Sequence, residues 1–65
     1  MELTINGEVK EIICTTVNDL LLALDVDPRR VAVERNLEIV PKPAYESTHL
    51  CSGDRIEIVH FVGGG

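Results

Sequence analysis

An α+β fold, with one helix lying across a mixed five-stranded sheet, is the architecture this 65-residue sequence predicts. Three observations lead there. Segments with strand-like alternation flank a single stretch of helical periodicity. That stretch is short enough to need a sheet to pack on. The strongest strand pattern, at Arg55 to Val62, runs straight into Gly63-Gly64-Gly65.

The elements follow in chain order. Glu2 to Asn6 alternates, with Leu3 and Ile5 on one face, which is strand spacing. Asn6-Gly7 is a two-residue hairpin turn, because both positions must tolerate positive φ. Glu8 to Ile13 is the return strand. Thr16 then stands as an N-cap, with Asp19 placed to answer it across the first turn. Val17, Leu20, Leu21 and Leu24 form one apolar helical stripe, and Asp27-Pro28 is expected to end the helix. Val31-Ala32-Val33 is a third strand, Arg35-Asn36-Leu37 a turn, and Glu38-Ile39-Val40 a fourth strand stopped by Pro41 and Pro43. Pro41 to Ser52 is expected to cross the molecule irregularly, anchored by Tyr45 and Leu50. After a turn at Gly53-Asp54, Arg55 to Val62 is the fifth strand. The order β-β-α-β-β-β, with a single helix to cover one sheet face, is that of a β-grasp, with the first and last strands parallel in the sheet centre. The expected organisation is a β-grasp domain over 1–62 and a flexible tail over 63–65. The expected core is Leu3, Ile5, Val17, Leu20, Leu21, Leu24, Val33, Leu50, Ile56 and Ile58.

Composition narrows the function classes. Eleven acidic against six basic residues leave a net charge of −5, and Tyr45 and Phe61 are the only aromatics. Clustered cations and stacking rings, which nucleic-acid binding needs, are both lacking. No stretch of about 18 apolar residues is present to span a membrane. Neither is there a basic start with an apolar export segment, so a cytoplasmic location is expected. A chain this short buries only roughly 60% of its unfolded surface and has few residues to wall a catalytic cleft. A carrier or binding module, monomeric when free and holding no cofactor of its own, is therefore expected in place of a complete enzyme.

Cys14 and Cys51 are far apart, with no Cys-x-x-Cys and no paired histidines. Two buried free thiols are the expectation. A zinc site from Cys14, Cys51, His49 and His60 would need four scattered ligands to converge. His60 is expected to be a partly buried edge histidine, not a proton carrier.

The glycine tail carries the functional signal. Three glycines lose much entropy on ordering and bury no side chain, so their use lies in access. A backbone without Cβ atoms can pass through a narrow channel and deliver the α-carboxylate of Gly65. Adenylation would convert that carboxylate into an electrophile which sulfur or an amine can attack. At the tail's root, Val59 and Phe61 share a strand face with Arg55 and Glu57. Two readings of these residues stand. The 41–52 segment covers them, or they form an exposed patch, joined by Val62, where a partner docks.

The runs Val31-Ala32-Val33-Glu34-Arg35-Asn36, Glu38-Ile39-Val40-Pro41, Gly53-Asp54-Arg55-Ile56-Glu57-Ile58-Val59 and Val62-Gly63-Gly64-Gly65 resemble the ThiS family, the sulfur carriers of thiamine biosynthesis. The likeness covers the whole chain, including the Asn6-Gly7 hairpin, the Leu20-Leu21 helix core and the basic residue in Pro41-Lys42-Pro43. Leu37 departs from the family pattern, where Gly often follows the Asn, so Asn36 is left to carry most of that turn. The resemblance implies a ubiquitin-like sulfur carrier, a protein co-substrate and not an enzyme. An E1-like adenylyltransferase of the ThiF type would use ATP to adenylate Gly65. A cysteine desulfurase would supply sulfur for a Gly65 thiocarboxylate, and a ThiG-type thiazole synthase would accept it. Three rivals stay open. The first is the small subunit of molybdopterin synthase, disfavoured by Ile58-Val59-His60-Phe61-Val62, which lacks proline. The second is a protein modifier, and the third an interaction domain with an inert tail.

Overall fold

The strand-forming and helix-forming segments assemble as the patterning predicts. The computed structural model describes residues 1–61. The predicted tail at Gly63, Gly64 and Gly65, and Val62 before it, lie outside the described residues. Strands β1 (Glu2–Ile5), β2 (Glu8–Glu11), β3 (Val31–Arg35), β4 (Glu38–Val40) and β5 (Arg55–His60) form one sheet in the order β2-β1-β5-β3-β4. β1 and β5 run parallel at the sheet centre, and the other pairs are antiparallel. This is the expected β-grasp. No helix among the described residues is long and apolar enough to cross a membrane.

Both hairpins turn on asparagine. Asn6 (φ 49°) and Gly7 (φ 82°) join β1 to β2. Asn36 (φ 50°) and Leu37 (φ 71°) join β3 to β4. Two residues with positive φ make turns whose twist matches that of the flanking strands. Leu37 therefore shares the left-handed geometry with Asn36, a conformation that costs a side chain about 1–2 kcal/mol. β2 is shorter than expected, ending at Glu11, and leaves Ile13 fully exposed.

The helix α1 spans Val17–Ala23. Thr16 Oγ1 accepts the Asp19 N–H at 3.2 Å, and Asp19 Oδ2 accepts the Thr16 N–H at 3.2 Å, so the expected cap is reciprocal. The helix ends before Asp27-Pro28. Asp25 adopts φ 59°, the Val26 N–H reaches Leu21 O at 2.8 Å, and the Asp25 N–H reaches Leu22 O at 3.0 Å. These two bonds form a Schellman closure, usually built on glycine. Pro28 instead opens a 3₁₀ turn, Pro28–Arg30, capped by Asp27.

The core lies between α1 and one sheet face. Leu3, Ile5, Val17, Leu20, Leu21, Val33, Leu50, Ile56 and Ile58 are buried as expected, joined by Val31, Val40 and Tyr45. Leu24 packs only partly against it, because the early helix end turns its position outward. The 41–52 segment is tied down by Tyr45, whose hydroxyl donates to Val31 O at 3.0 Å, and it contains a 3₁₀ turn at Lys42–Ala44.

Candidate functional site

The two hairpin asparagines also fix β5, the strand that leads to the glycines. On the β1 side, the Asn6 amide bonds both backbone groups of Ile58, donating to its carbonyl at 3.2 Å and accepting its N–H at 2.7 Å. The amide thus continues the parallel pairing after β1 has turned away. On the β3 side, Asn36 Oδ1 accepts the Arg55 N–H at 2.9 Å, and its Nδ2 donates to Asp54 Oδ1 at 3.0 Å. Asp54 Oδ2 accepts from Arg35 Nε and from the Cys51 N–H, each at 2.8 Å. Burial pushes the Asp54 carboxyl up, but the Cys51, Arg35 and Asn36 bonds together outweigh it and hold it below its ordinary range. Asp54 reads in sequence only as a turn residue after Gly53; its organising role depends on Arg35 and Asn36, distant in sequence.

β5 therefore leaves the domain from a braced base. At its end, the Phe61 N–H donates to Arg30 O at 3.0 Å. Phe61 is 55% exposed and Val59 61% exposed, so the 41–52 segment does not bury them. Lys42 reaches over the ring, its Nζ 4.5 Å from the ring centroid and 2.8 Å from Arg29 O. Val59 lies opposite exposed Ala32 on the sheet face away from α1, and the next row pairs Glu57 with Glu34 and Glu34 with exposed Ile39. Two carboxylates facing across a strand pair are unfavourable in isolation. This open face thus offers apolar surface beside an acidic pair.

Several expectations are corrected. His60 is exposed and belongs to the central strand, not an edge. Cys51 is exposed because its turn lies on the surface, while Cys14 is half-buried and burial pushes its thiol up. Among the described residues, no three His, Cys, Asp or Glu side chains group to hold a metal ion. The structure leaves Val59 near the end of β5 and Phe61 just past it exposed, and Val62, Gly63, Gly64 and Gly65 lie outside its described residues.

With this geometry in place, comparison with known proteins is decisive. The ThiS family model matches residues 3–65. The chain belongs to the ThiS family. It is 52% identical over 50 residues to the sulfur carrier protein ThiS of Bacillus subtilis, covering 77% of this chain and 76% of that protein. It is also 54% identical over 66 residues to a thiazole synthase of Paramagnetospirillum magneticum, covering 100% of this chain and 20% of that protein. A thiazole synthase of Magnetococcus marinus matches at 42% with the same coverage. The chain spans about a fifth of the length of these two thiazole synthases. In structure it is similar to the thiamine biosynthesis protein ThiS of Geobacter metallireducens, with TM-score 0.85, 36% identity and all of both chains covered. The ThiS match includes the glycines of the tail and the β-grasp from Leu3 onward.

Proposed function

We propose that this chain is a sulfur carrier of thiamine biosynthesis, with Gly65 as the residue that bears the sulfur. The observation that carries the reading is the 52% identity, over most of both chains, with a protein named a sulfur carrier. The braced β5 supports it, because a rigid base aims whatever follows the strand.

The chemistry runs on the Gly65 α-carboxylate. A carboxylate oxygen attacks the α-phosphorus of ATP in an adenylating partner of the E1-like ThiF type, and pyrophosphate leaves. The acyl adenylate carbon is then attacked by a persulfide sulfur, supplied by a cysteine desulfurase, and AMP leaves. A second thiol attacks the donor sulfur of the resulting acyl disulfide. It releases the thiocarboxylate and leaves a disulfide on the donor side. The thiocarboxylate is a stronger nucleophile than the carboxylate, and passes its sulfur to an electrophilic carbon in the pocket of a thiazole synthase. Hydrolysis returns the Gly65 carboxylate. Gly63 and Gly64 have no Cβ atoms to obstruct a narrow channel. Val59, Phe61 and Val62 form the docking surface at the tail's root. The match of the whole chain to a fifth of two thiazole synthases supports thiazole synthase as the recipient.

The test is pyrophosphate exchange into ATP by the adenylating enzyme. Exchange is expected to depend on this chain and to vanish when Gly65 is deleted. Exchange that persists without Gly65 contradicts the reading.

A further inference from the structure

Three of the chain's six Lys and Arg residues gather at the root of the tail. The 3₁₀ turn Pro28–Arg30 and the turn Lys42–Ala44 bring the Arg30 backbone and the Lys42 side chain to Phe61, with Arg29 beside them. Arg30 O accepts the Phe61 N–H at 3.0 Å, Arg29 O accepts from Lys42 Nζ at 2.8 Å, and Lys42 stands over the Phe61 ring. Asp27 bridges both arginines, at 3.0 Å to Arg29 Nη2 and 3.5 Å to Arg30 Nε. The arginine side chains remain 87% and 78% exposed all the same. Among the described residues, Glu46 adds a second anion, lining a shallow hollow with Arg29, Lys42 and Tyr45. Three cations against these two anions leave the collar at +1, and the rest of the chain at −6, within the net −5.

We infer that this basic collar is an interaction surface whose partner is protein: the acidic lip of the channel that receives the tail. Net charge alone would favour a basic partner, but close approach is governed by the charges nearest the contact, since the Debye length is only about 8 Å at physiological salt. Lys42 couples the electrostatic and apolar parts of the contact. Its ammonium both presents charge to the partner and caps the ring that the partner must cover. The inference rests on the carrier reading and adds to it the chemistry of the receiving surface.

The experiment measures association of the full chain with the adenylating enzyme by stopped flow, across a salt series. Wild type is expected to associate more slowly as salt rises, despite this chain's net charge of −5. Lys42→Glu and Arg30→Glu, each turning the local charge from +1 to −1, are expected to slow association about tenfold at low salt and to remove the wild-type slowing with salt. Lys10→Glu, the same charge change on β2, is expected to alter the rate less than about twofold by the same steering logic. Circular dichroism confirms that each variant is folded. Equal effects of Lys10→Glu and Lys42→Glu, or association that speeds up with salt, overturn the collar. Pyrophosphate exchange on the same samples separates the two failures: exchange with an indifferent collar sinks only this inference, and no exchange with wild type sinks the carrier reading as well.

Discussion

Asp54 accepts hydrogen bonds from the Cys51 N–H, Arg35 and Asn36 while only 7% exposed, so one carboxylate joins the 51–54 turn to the β3–β4 hairpin. Removing it leaves three donors facing its place. Asp54→Ala is expected to cost about 2–3 kcal/mol in urea unfolding, the range for hydrogen bonds to a charged group. The pH sign follows from its lowered pKa. The unfolded carboxyl binds protons more readily than the folded one, so the stabilisation is complete above its ordinary value and is lost as pH falls below about 4. Asp27, held down to about 2 by hydrogen bonds from Arg29, titrates in the same acid window. The difference between wild type and Asp54→Asn across pH 2–6 therefore isolates Asp54. A difference that stays constant through that range contradicts the assignment. Phe61 is the opposite kind of residue. Half its ring faces solvent, so Phe61→Ala is expected to change stability by less than about 1 kcal/mol. Truncating a docking anchor should nevertheless weaken binding to the adenylating enzyme by about tenfold or more. Equal loss of stability and binding would return Phe61 to the core.

Among the elements, the contact between α1 and the sheet bears most of the stability. Leu21 is fully buried on the helix and Ile58 is 8% exposed on β5. Leu21→Ala and Ile58→Ala are each expected to cost about 2–5 kcal/mol, from lost burial and the cavity left behind. An unchanged unfolding midpoint in either variant contradicts the placement. The elements whose signals are local were legible beforehand: the Asn6-Gly7 turn, the Thr16–Asp19 cap and the alternation of Arg55 to His60 each depend on neighbours in sequence. The helix end was not, because Asp25 closes it in a conformation that sequence patterns assign to glycine. Val40 joins the core opposite Val33 of β3, and Val31 opposite His60 of β5, pairings that only the assembled sheet sets. The site was legible in part. Val59 and Phe61 could be picked out as a patch from alternation, but their exposure depended on whether the 41–52 segment covered them. Arg29, Arg30 and Lys42 come together only through two 3₁₀ turns that proline positions hint at without placing.

At the scale of the whole molecule, a small β-grasp braces one central strand from both sides and presents its end with apolar and basic surface. On the carrier reading, everything upstream of Phe61 serves to deliver Gly65. The exposed Cys51 thiol makes one competing outcome concrete, since sulfur transferred loosely would collect there as a persulfide. The most direct test is therefore mass spectrometry of the intact chain, followed by peptide mapping, after incubation with the adenylating enzyme, ATP, a cysteine desulfurase, cysteine and thiol. The expected gain equals the replacement of one oxygen by sulfur, mapped to the peptide containing Gly65. It should be retained in Cys14→Ser and Cys51→Ser and be absent when Gly65 is deleted or followed by an added residue. A gain that maps to Cys51, or that survives deletion of Gly65, would contradict it.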